Sequence, residues 1–123
     1  MEETIKENAL KEKSYQFALR IVKLCQYLSE EKREFALSKQ ILQSGTAIGA
    51  FVEESNQGES RLDFSHKLSL ANKKAFRTNY WLRLLRDSSF LNDKQAQSLL
   101  DDCEELQKML ISALKTTRNS VEN

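Results

Sequence analysis

The chain has 123 residues, no proline, three glycines and a formal net charge of +1, and 30% of its residues are charged. This length suits one domain, and the near absence of turn-forming residues argues against a fold of many strands and predicts a few long helices. Two distant cysteines, no apolar N-terminal segment and no long apolar run argue against a disulfide scaffold, a zinc site, a secreted precursor and a membrane partner. We therefore expect one all-α domain, residues 1–123, in the cytoplasm.

The first two predicted helices follow from apolar residues that recur every three or four positions. The first spans residues 8–31 and the second residues 37–57, where Gly58 follows as a plausible C′ residue. The two predicted core stripes are Leu10, Phe17, Ala18, Ile21, Leu24, Cys25 and Leu28 in the first helix, and Ile41, Leu42, Ile48 and Val52 in the second.

The last two predicted helices begin at capping-box patterns, Ser60 with Asp63 and Asn92 with Gln95. They span residues 60–87 and 92–118, and the tail after residue 118 is expected to fray. Their predicted core stripes are Phe64, Leu68, Ala71, Ala75, Leu82 and Leu85, then Ala96, Leu99, Leu100, Cys103, Leu106, Leu110, Ala113 and Leu114. Short connections between long helices predict an antiparallel, up-down-up-down four-helix bundle.

Two of the three glycines, Gly45 and Gly49, lie within the second predicted helix. Their spacing lacks the second half of a phosphate-binding loop, and charged residues around them argue against a membrane dimerisation motif. On a helical wheel both glycines fall on the side of Ile41, Ile48 and Val52. We therefore expect Gly45 and Gly49 to allow close helix packing.

The strings "LSKQILQSGTAIGAFVEES" (37–55) and "KLSLANKKAFRTNYWLRLL" (67–85) resemble the four-helix bundle proteins encoded in intervening sequences of 23S ribosomal RNA genes. "KEKSYQFALRIVKL" and "DDCEEL" extend the resemblance to the first and last helices. The sequence departs from the usual pattern at Phe51, Lys74, Arg77 and Asn79, because relatives commonly have an asparagine in helix two and acids in helix three.

The resemblance implies an antiparallel four-helix bundle that assembles as a ring-like homopentamer and has no established enzymatic activity. A related branch implies contact with nucleic acid and a polymerase, since its members are accessory proteins of diversity-generating retroelements.

The third predicted helix concentrates positive charge. Residues 60–87 contain seven bases and two acids, a net charge of +5, whereas residues 93–118 carry −1. Such asymmetry can attract a polyanion or match an acidic neighbour in an oligomer. The candidate nucleic-acid-binding residues are Lys67, Lys73, Lys74, Arg77, Arg83 and Arg86.

The same helix carries apolar residues away from its core stripe. These candidate oligomer-interface residues are Leu70, Phe76, Tyr80, Trp81 and Leu84. A large apolar patch with aromatic residues is typical of a subunit interface. Two alternatives stay open: the rings widen the monomer core, or they stack on bases while the neighbouring cations bind phosphates.

The sequence gives little support for a catalytic or metal-binding site. A di-iron site needs two Glu-x-x-His motifs, and the single histidine, His66, has only Asp63 at the right spacing. Acid pairs such as Glu31/Glu34, Asp101/Glu104 and Asp102/Glu105 resemble the magnesium ligands of all-α pyrophosphatases but also suit a turn and a helix N-terminus. We expect no catalytic residue, cofactor or metal.

The sequence therefore favours a non-enzymatic, homo-oligomeric four-helix bundle that binds or scaffolds RNA or DNA. A protein adaptor, in which the cations only pair with neighbouring subunits or another protein, is the alternative. A metal-dependent phosphohydrolase is a distant third.

Overall fold

The computed structural model describes the backbone of residues 2–122 and the side chains of residues 5–118. Its four helices are α1 (Glu2–Glu30), α2 (Ala36–Ser55), α3 (Arg61–Asp87) and α4 (Asp93–Glu122). Each helix packs against the next, and α4 packs back against α1, so α1 and α3 occupy opposite corners. The predicted all-α four-helix bundle is confirmed.

Side-chain contacts give the relative directions of the helices. Lys11, early in α1, pairs with Glu53, late in α2, while Cys25, late in α1, contacts Ser38, early in α2. The three connections have five residues each. Five residues span at most about 18 Å, less than the roughly 30 Å length of a 20-residue helix. Successive helices must therefore run antiparallel.

Both predicted capping boxes lie at helix starts. The Ser60 hydroxyl accepts a hydrogen bond from the Asp63 amide at 3.1 Å. Asn92 and Gln95 exchange bonds of 3.0 and 2.8 Å between their side chains and backbone amides. These bonds satisfy amides that a helix N-terminus leaves without partners, so they set where α3 and α4 begin.

The first and last helices, α1 and α4, are longer than their apolar patterns predicted. The first begins at Glu2 instead of residue 8, and the last continues to Glu122 instead of ending at residue 118. The predicted end of the last helix at residue 118 was therefore wrong, the fraying of the tail stays a prediction, and Asn123 lies outside the described residues. The N-terminal extension is rich in Glu, Lys and other good helix formers, which need no apolar periodicity to continue a helix.

The C-terminus of α2 also differs from the prediction. The helix ends at Ser55 with Asn56 as its cap, and no glycine in the described chain has a positive φ. Gly58 is thus not a left-handed C′ residue. A Cβ atom on Gly58 would lie 3.1 Å from the Phe64 amide nitrogen, so this glycine allows the connection to pass close to the start of α3.

The core consists of the inner stripes of all four helices. Of the predicted core residues, Ala18, Phe64, Ala113 and Leu114 are only partly buried. The prediction that Leu42 belongs to the core was wrong, because this residue is 39% exposed on the outer side of α2. The other predicted core residues are buried.

Within the described residues, no helix combines the length and apolar character that crossing a membrane requires.

Candidate functional site

The outer face of α3 carries three exposed apolar side chains in one line. Phe76, Tyr80 and Leu84 are four residues apart, a spacing that keeps them on one side of a helix. Phe76 is 54% exposed and Tyr80 is 52% exposed. We call Phe76, Tyr80 and Leu84 the outer stripe.

The two other candidate interface residues lie elsewhere. Leu70 and Trp81 are half-buried, and Trp81 packs against the core. The rings of Trp81 and Tyr80 meet edge to face with centroids 5.3 Å apart. Trp81 Nε1 is buried and has no hydrogen-bond partner among the described residues. Trp81 therefore packs between the core and Tyr80 and is not part of the exposed outer stripe.

Three of the candidate cations, Lys73, Arg77 and Arg83, are exposed around the outer stripe. The Arg83 guanidinium lies 5.8 Å from the centroid of the Tyr80 ring, and its Nε donates to Asn79 Oδ1 at 2.9 Å. No acid occurs in the sequence between Asp63 and Asp87. The exposed rings thus stand among positive charges, and the acid that follows them on α3, Asp87, lies close to Arg83 and pairs with Arg86.

The remaining candidate cations contact groups of the bundle itself. Lys67 is half-buried, with its ammonium 5.8 Å from the centroid of the Phe51 ring and 3.9 Å from Glu54. Arg86 pairs with Asp87 at 2.8 Å. Lys74 is half-buried. The structure therefore separates the six residues into an exposed set of three and a half-buried set of three, in which Lys67 and Arg86 pair with acids.

Gly45 and Gly49 lie where α2 approaches α1 most closely. A Cβ atom at position 45 would lie 2.8 Å from Cγ1 of Ile21, which is fully buried. A Cβ atom at position 49 would lie 3.3 Å from the Ser14 carbonyl oxygen. At both positions a side chain would crowd atoms of α1, so glycine permits the close approach of the two helices.

A second exposed surface, which the sequence reasoning missed, runs along α1 and α2. We call it the α1–α2 groove: a depression of about 330 Å³ lined by Lys11, Tyr15, Ala18, Thr46, Gly49, Ala50 and Glu53. Tyr15 is followed on the outer side of α1 by exposed Leu19 and Val22. The spacing of four and seven residues between these three side chains was visible in the sequence as an apolar line outside the core stripe.

Asp102 and Glu105, one of the acid pairs considered as metal ligands, are engaged with cations of α1. Asp102 receives hydrogen bonds from Arg20 at 2.6 Å and Lys13 at 3.2 Å, and Glu105 pairs with Lys13 at 2.9 Å. Burial tends to raise the pKa of Asp102, but these hydrogen bonds outweigh it and hold that pKa below its ordinary value. No group of three His, Cys, Asp or Glu residues suited to a metal occurs in the described part of the chain.

Both cysteines are buried free thiols. The Cys25 thiol donates to the Ser38 carbonyl, and the Cys103 thiol donates to the Ala75 carbonyl, each at 3.3 Å. Burial raises the pKa of Cys103 to about 12. Because the thiolate is the nucleophilic form, this environment suits a core residue and not a reactive thiol.

Comparison with known families identifies the fold and its lineage. A model of the 23S rRNA-intervening sequence protein family matches residues 6–112, which span all four helices. The chain belongs to this family. The resemblance of the α2 and α3 strings is thereby confirmed at the level of the family.

A solved relative supports the same assignment. The crystal structure of a protein with unknown function from the S23 ribosomal protein family of Bacteroides thetaiotaomicron matches with a TM-score of 0.89 and 47% sequence identity. The match covers 89% of this chain and 98% of that chain. A search of curated proteins gave no match. Membership of the 23S rRNA-intervening sequence protein family therefore identifies the fold, and the solved relative is itself described as a protein with unknown function.

Proposed function

We propose that this chain is a non-enzymatic, homo-oligomeric bundle that binds or scaffolds nucleic acid, with RNA as the favoured ligand. The outer stripe of α3 carries this proposal: exposed Phe76 and Tyr80 stand among Lys73, Arg77 and Arg83. The rings provide apolar contact area for a neighbouring subunit, and the exposed cations beside them provide phosphate contacts. The family's description refers to 23S rRNA intervening sequences, which is compatible with an RNA ligand.

Assembly follows from the pairing that the two exposed surfaces allow. If the outer stripe paired with its own copy, Lys73, Arg77 and Arg83 would face one another, and like charges across an interface oppose association. The α1–α2 groove is a better counterpart, because its Lys11 and Glu53 pair with each other and leave no excess of positive charge, and its exposed Ala50 leaves room for a ring. The outer stripe of one copy is thus proposed to seat in the α1–α2 groove of the next.

This pairing joins two different surfaces, so it is heterologous. Heterologous contacts produce a closed ring when the rotation between copies permits closure. The stripe lies on the exposed side of α3 and the groove lies between α1 and α2, so the two surfaces are on different faces of the bundle. Each copy can therefore hold one neighbour on either side, and the resemblance to pentameric relatives sets the proposed number at five.

Light scattering with two complementary variants tests the assembly. Phe76→Ala with Tyr80→Ala removes the stripe, and Ala50→Arg blocks the groove with bulk and positive charge. We expect wild type to be oligomeric at micromolar concentration and each variant to be monomeric. A mixture of the two should form a heterodimer, because each variant retains one intact surface.

The control is Phe35→Ala, which removes an exposed aromatic ring in the α1–α2 connection and should leave the oligomer unchanged. A monomeric wild type, or a mixture that stays monomeric, would contradict the proposed pairing.

Salt dependence tests the nucleic-acid part of the proposal. Labelled single-stranded RNA should bind more weakly as salt increases, because each phosphate contact releases counterions. Lys73→Gln with Arg77→Gln should reduce the slope of log affinity against log salt by about 1.4, the contribution of two contacts on a single strand. Lys94→Gln, an exposed cation on α4, is the matched control.

The alternative function is a protein adaptor. The observation that favours it is the engagement of Lys67 and Arg86 with acids of the bundle, which shows that cations of this region can serve protein contacts. An oligomer that binds neither RNA nor DNA at low salt would replace the nucleic-acid proposal with the adaptor.

A further inference from the structure

A cavity of about 340 Å³ opens at the end of the bundle where α1 and α3 begin and α2 and α4 end. Its deepest walls are Leu10, Val52 and Leu68, which are buried core residues. Small side chains, Ala9 on α1 and Ala113 on α4, also line it. The cavity therefore extends from the surface into the apolar core, and its size lies within the range of small-molecule sites, roughly 300–1,000 Å³.

Three of the four hydroxyl groups along the described walls donate within their own helices. Ser55 donates to the Val52 carbonyl at 2.6 Å, and Thr117 donates to the Ala113 carbonyl at 2.9 Å. Thr116 donates within α4 in the same way. Because these donors are used within their own helices, they offer little to a polar guest. Apolar cavities of this kind favour apolar guests over water.

Positive side chains stand at the mouth. Lys6, Arg61 and Lys108 line the cavity and are exposed, so their charged ends lie at its rim. Among the side chains that the structure describes, Glu7 is the one acid that lines the cavity. The excess of positive charge beside an apolar interior complements a molecule with an anionic head and a single apolar tail.

We propose that this cavity binds a free medium-chain fatty acid, with the acyl tail between α1 and α4 and the carboxylate at Lys6 and Lys108. The site lies at the end of the bundle, away from the outer stripe and the α1–α2 groove. Its occupation is independent of nucleic-acid binding.

Titration with dodecanoate below its micelle concentration tests the site. The chain has two methionines, and Met109 lines the cavity. In protein labelled with ¹³C at the methionine methyl groups, the Met109 signal, assigned with Met109→Leu, should shift and saturate with dodecanoate. Affinity should rise about fourfold for each methylene added between octanoate and dodecanoate, because each buried methylene contributes a fixed transfer free energy.

Variants separate the cavity from non-specific binding. Ala113→Leu fills the cavity and should reduce affinity at least tenfold, while Ala36→Leu, the same change at an exposed position at the start of α2, should leave it unchanged. Lys6→Gln with Lys108→Gln should weaken dodecanoate about two- to fivefold. The helical circular dichroism of each variant checks that it is folded.

Several outcomes would overturn the proposal. They are no shift of the Met109 signal, equal affinity of Ala113→Leu and wild type, or equal binding of the cationic amphiphile dodecyltrimethylammonium. Binding to phosphatidylglycerol vesicles without binding to free dodecanoate would assign the surface to membranes and contradict a cavity for one chain.

Discussion

Helix α1 meets its two neighbours in opposite ways. Against α2, Gly45 and Gly49 remove side chains, so the helices approach closely. Against α4, Lys13 and Arg20 reach across to Asp102, and the cavity follows beyond them. Helix α1 thus packs tightly against the glycines of α2 and more loosely against α4, where charged side chains make the contact. The size of the facing residues decides how closely each neighbouring helix approaches.

Adding side chains to the tight side should produce the largest effect. Gly45→Leu with Gly49→Leu should lower the free energy of unfolding by more than about 3 kcal/mol, because each change overpacks the contact with Ile21 or Ser14. Helix propensity alone predicts the opposite sign, a gain of up to about 1 kcal/mol per position. Urea denaturation of wild type and variant gives the sign directly.

The control for this change is Gln43→Leu on the exposed side of α2, which should alter stability by less than about 0.5 kcal/mol. Unchanged or improved stability of the double glycine variant would contradict the distinction between the two sides of α1.

Removing the charge that holds the looser side should have a smaller effect. Asp102→Asn leaves Lys13 and Arg20 without their shared carboxylate and should cost about 1 kcal/mol, since the group is partly exposed and screened by solvent. Denaturation with urea at neutral pH measures this cost. The same substitution at Asp101, an exposed neighbour, is the matched control. Equal stability of both variants would show that the charges contribute nothing to the contact.

The dependence on pH should give the smallest and most specific effect. The pKa of Asp102 is lowered in the folded chain, so its contribution is present above the unfolded pKa of about 4 and is lost as pH falls through the folded pKa. The stability difference between wild type and Asp102→Asn should therefore narrow as pH falls below about 4 and vanish below the folded pKa. A difference that persists there would mean that the substitution acts through packing.

At alkaline pH, the charged contact between α1 and α4 depends on the protonation of Lys13. Hydrogen bonding to Glu105 and Asp102 raises the pKa of Lys13 above its ordinary value despite partial burial. Its contribution is fully present below the unfolded pKa and is lost as pH rises through the folded pKa. The charged contact between α1 and α4 should thus remain intact across neutral pH.

The core and the starts of α3 and α4 were accessible from the sequence because they depend on local rules. The periodicity of residues such as Phe17 and Leu82 places them inside, and capping by Ser60 and Asn92 needs only neighbours three residues away. Leu42 was misplaced because it lies at the edge of the apolar side of α2, where a wheel cannot tell which neighbour covers a residue.

The features that carry the proposals depend on the distances between helices. Arg20 and Asp102 are 82 residues apart, so no local pattern pairs them. The cavity exists because Ala9 and Ala113 meet at the same end of the bundle, and the void they leave depends on four helix ends at once. The positive charge of α3 was visible in the sequence, but which of its cations face outward was not.

Trp81 is the single tryptophan, and its half-buried ring touches Tyr80 of the outer stripe. Its fluorescence is therefore an intrinsic optical probe of one defined place on α3. When a partner covers that place, the emission should shift to shorter wavelength and collisional quenching by iodide should weaken. A ligand in the cavity at the end of the bundle should change neither signal, so one chromophore distinguishes occupancy of the two regions without any label.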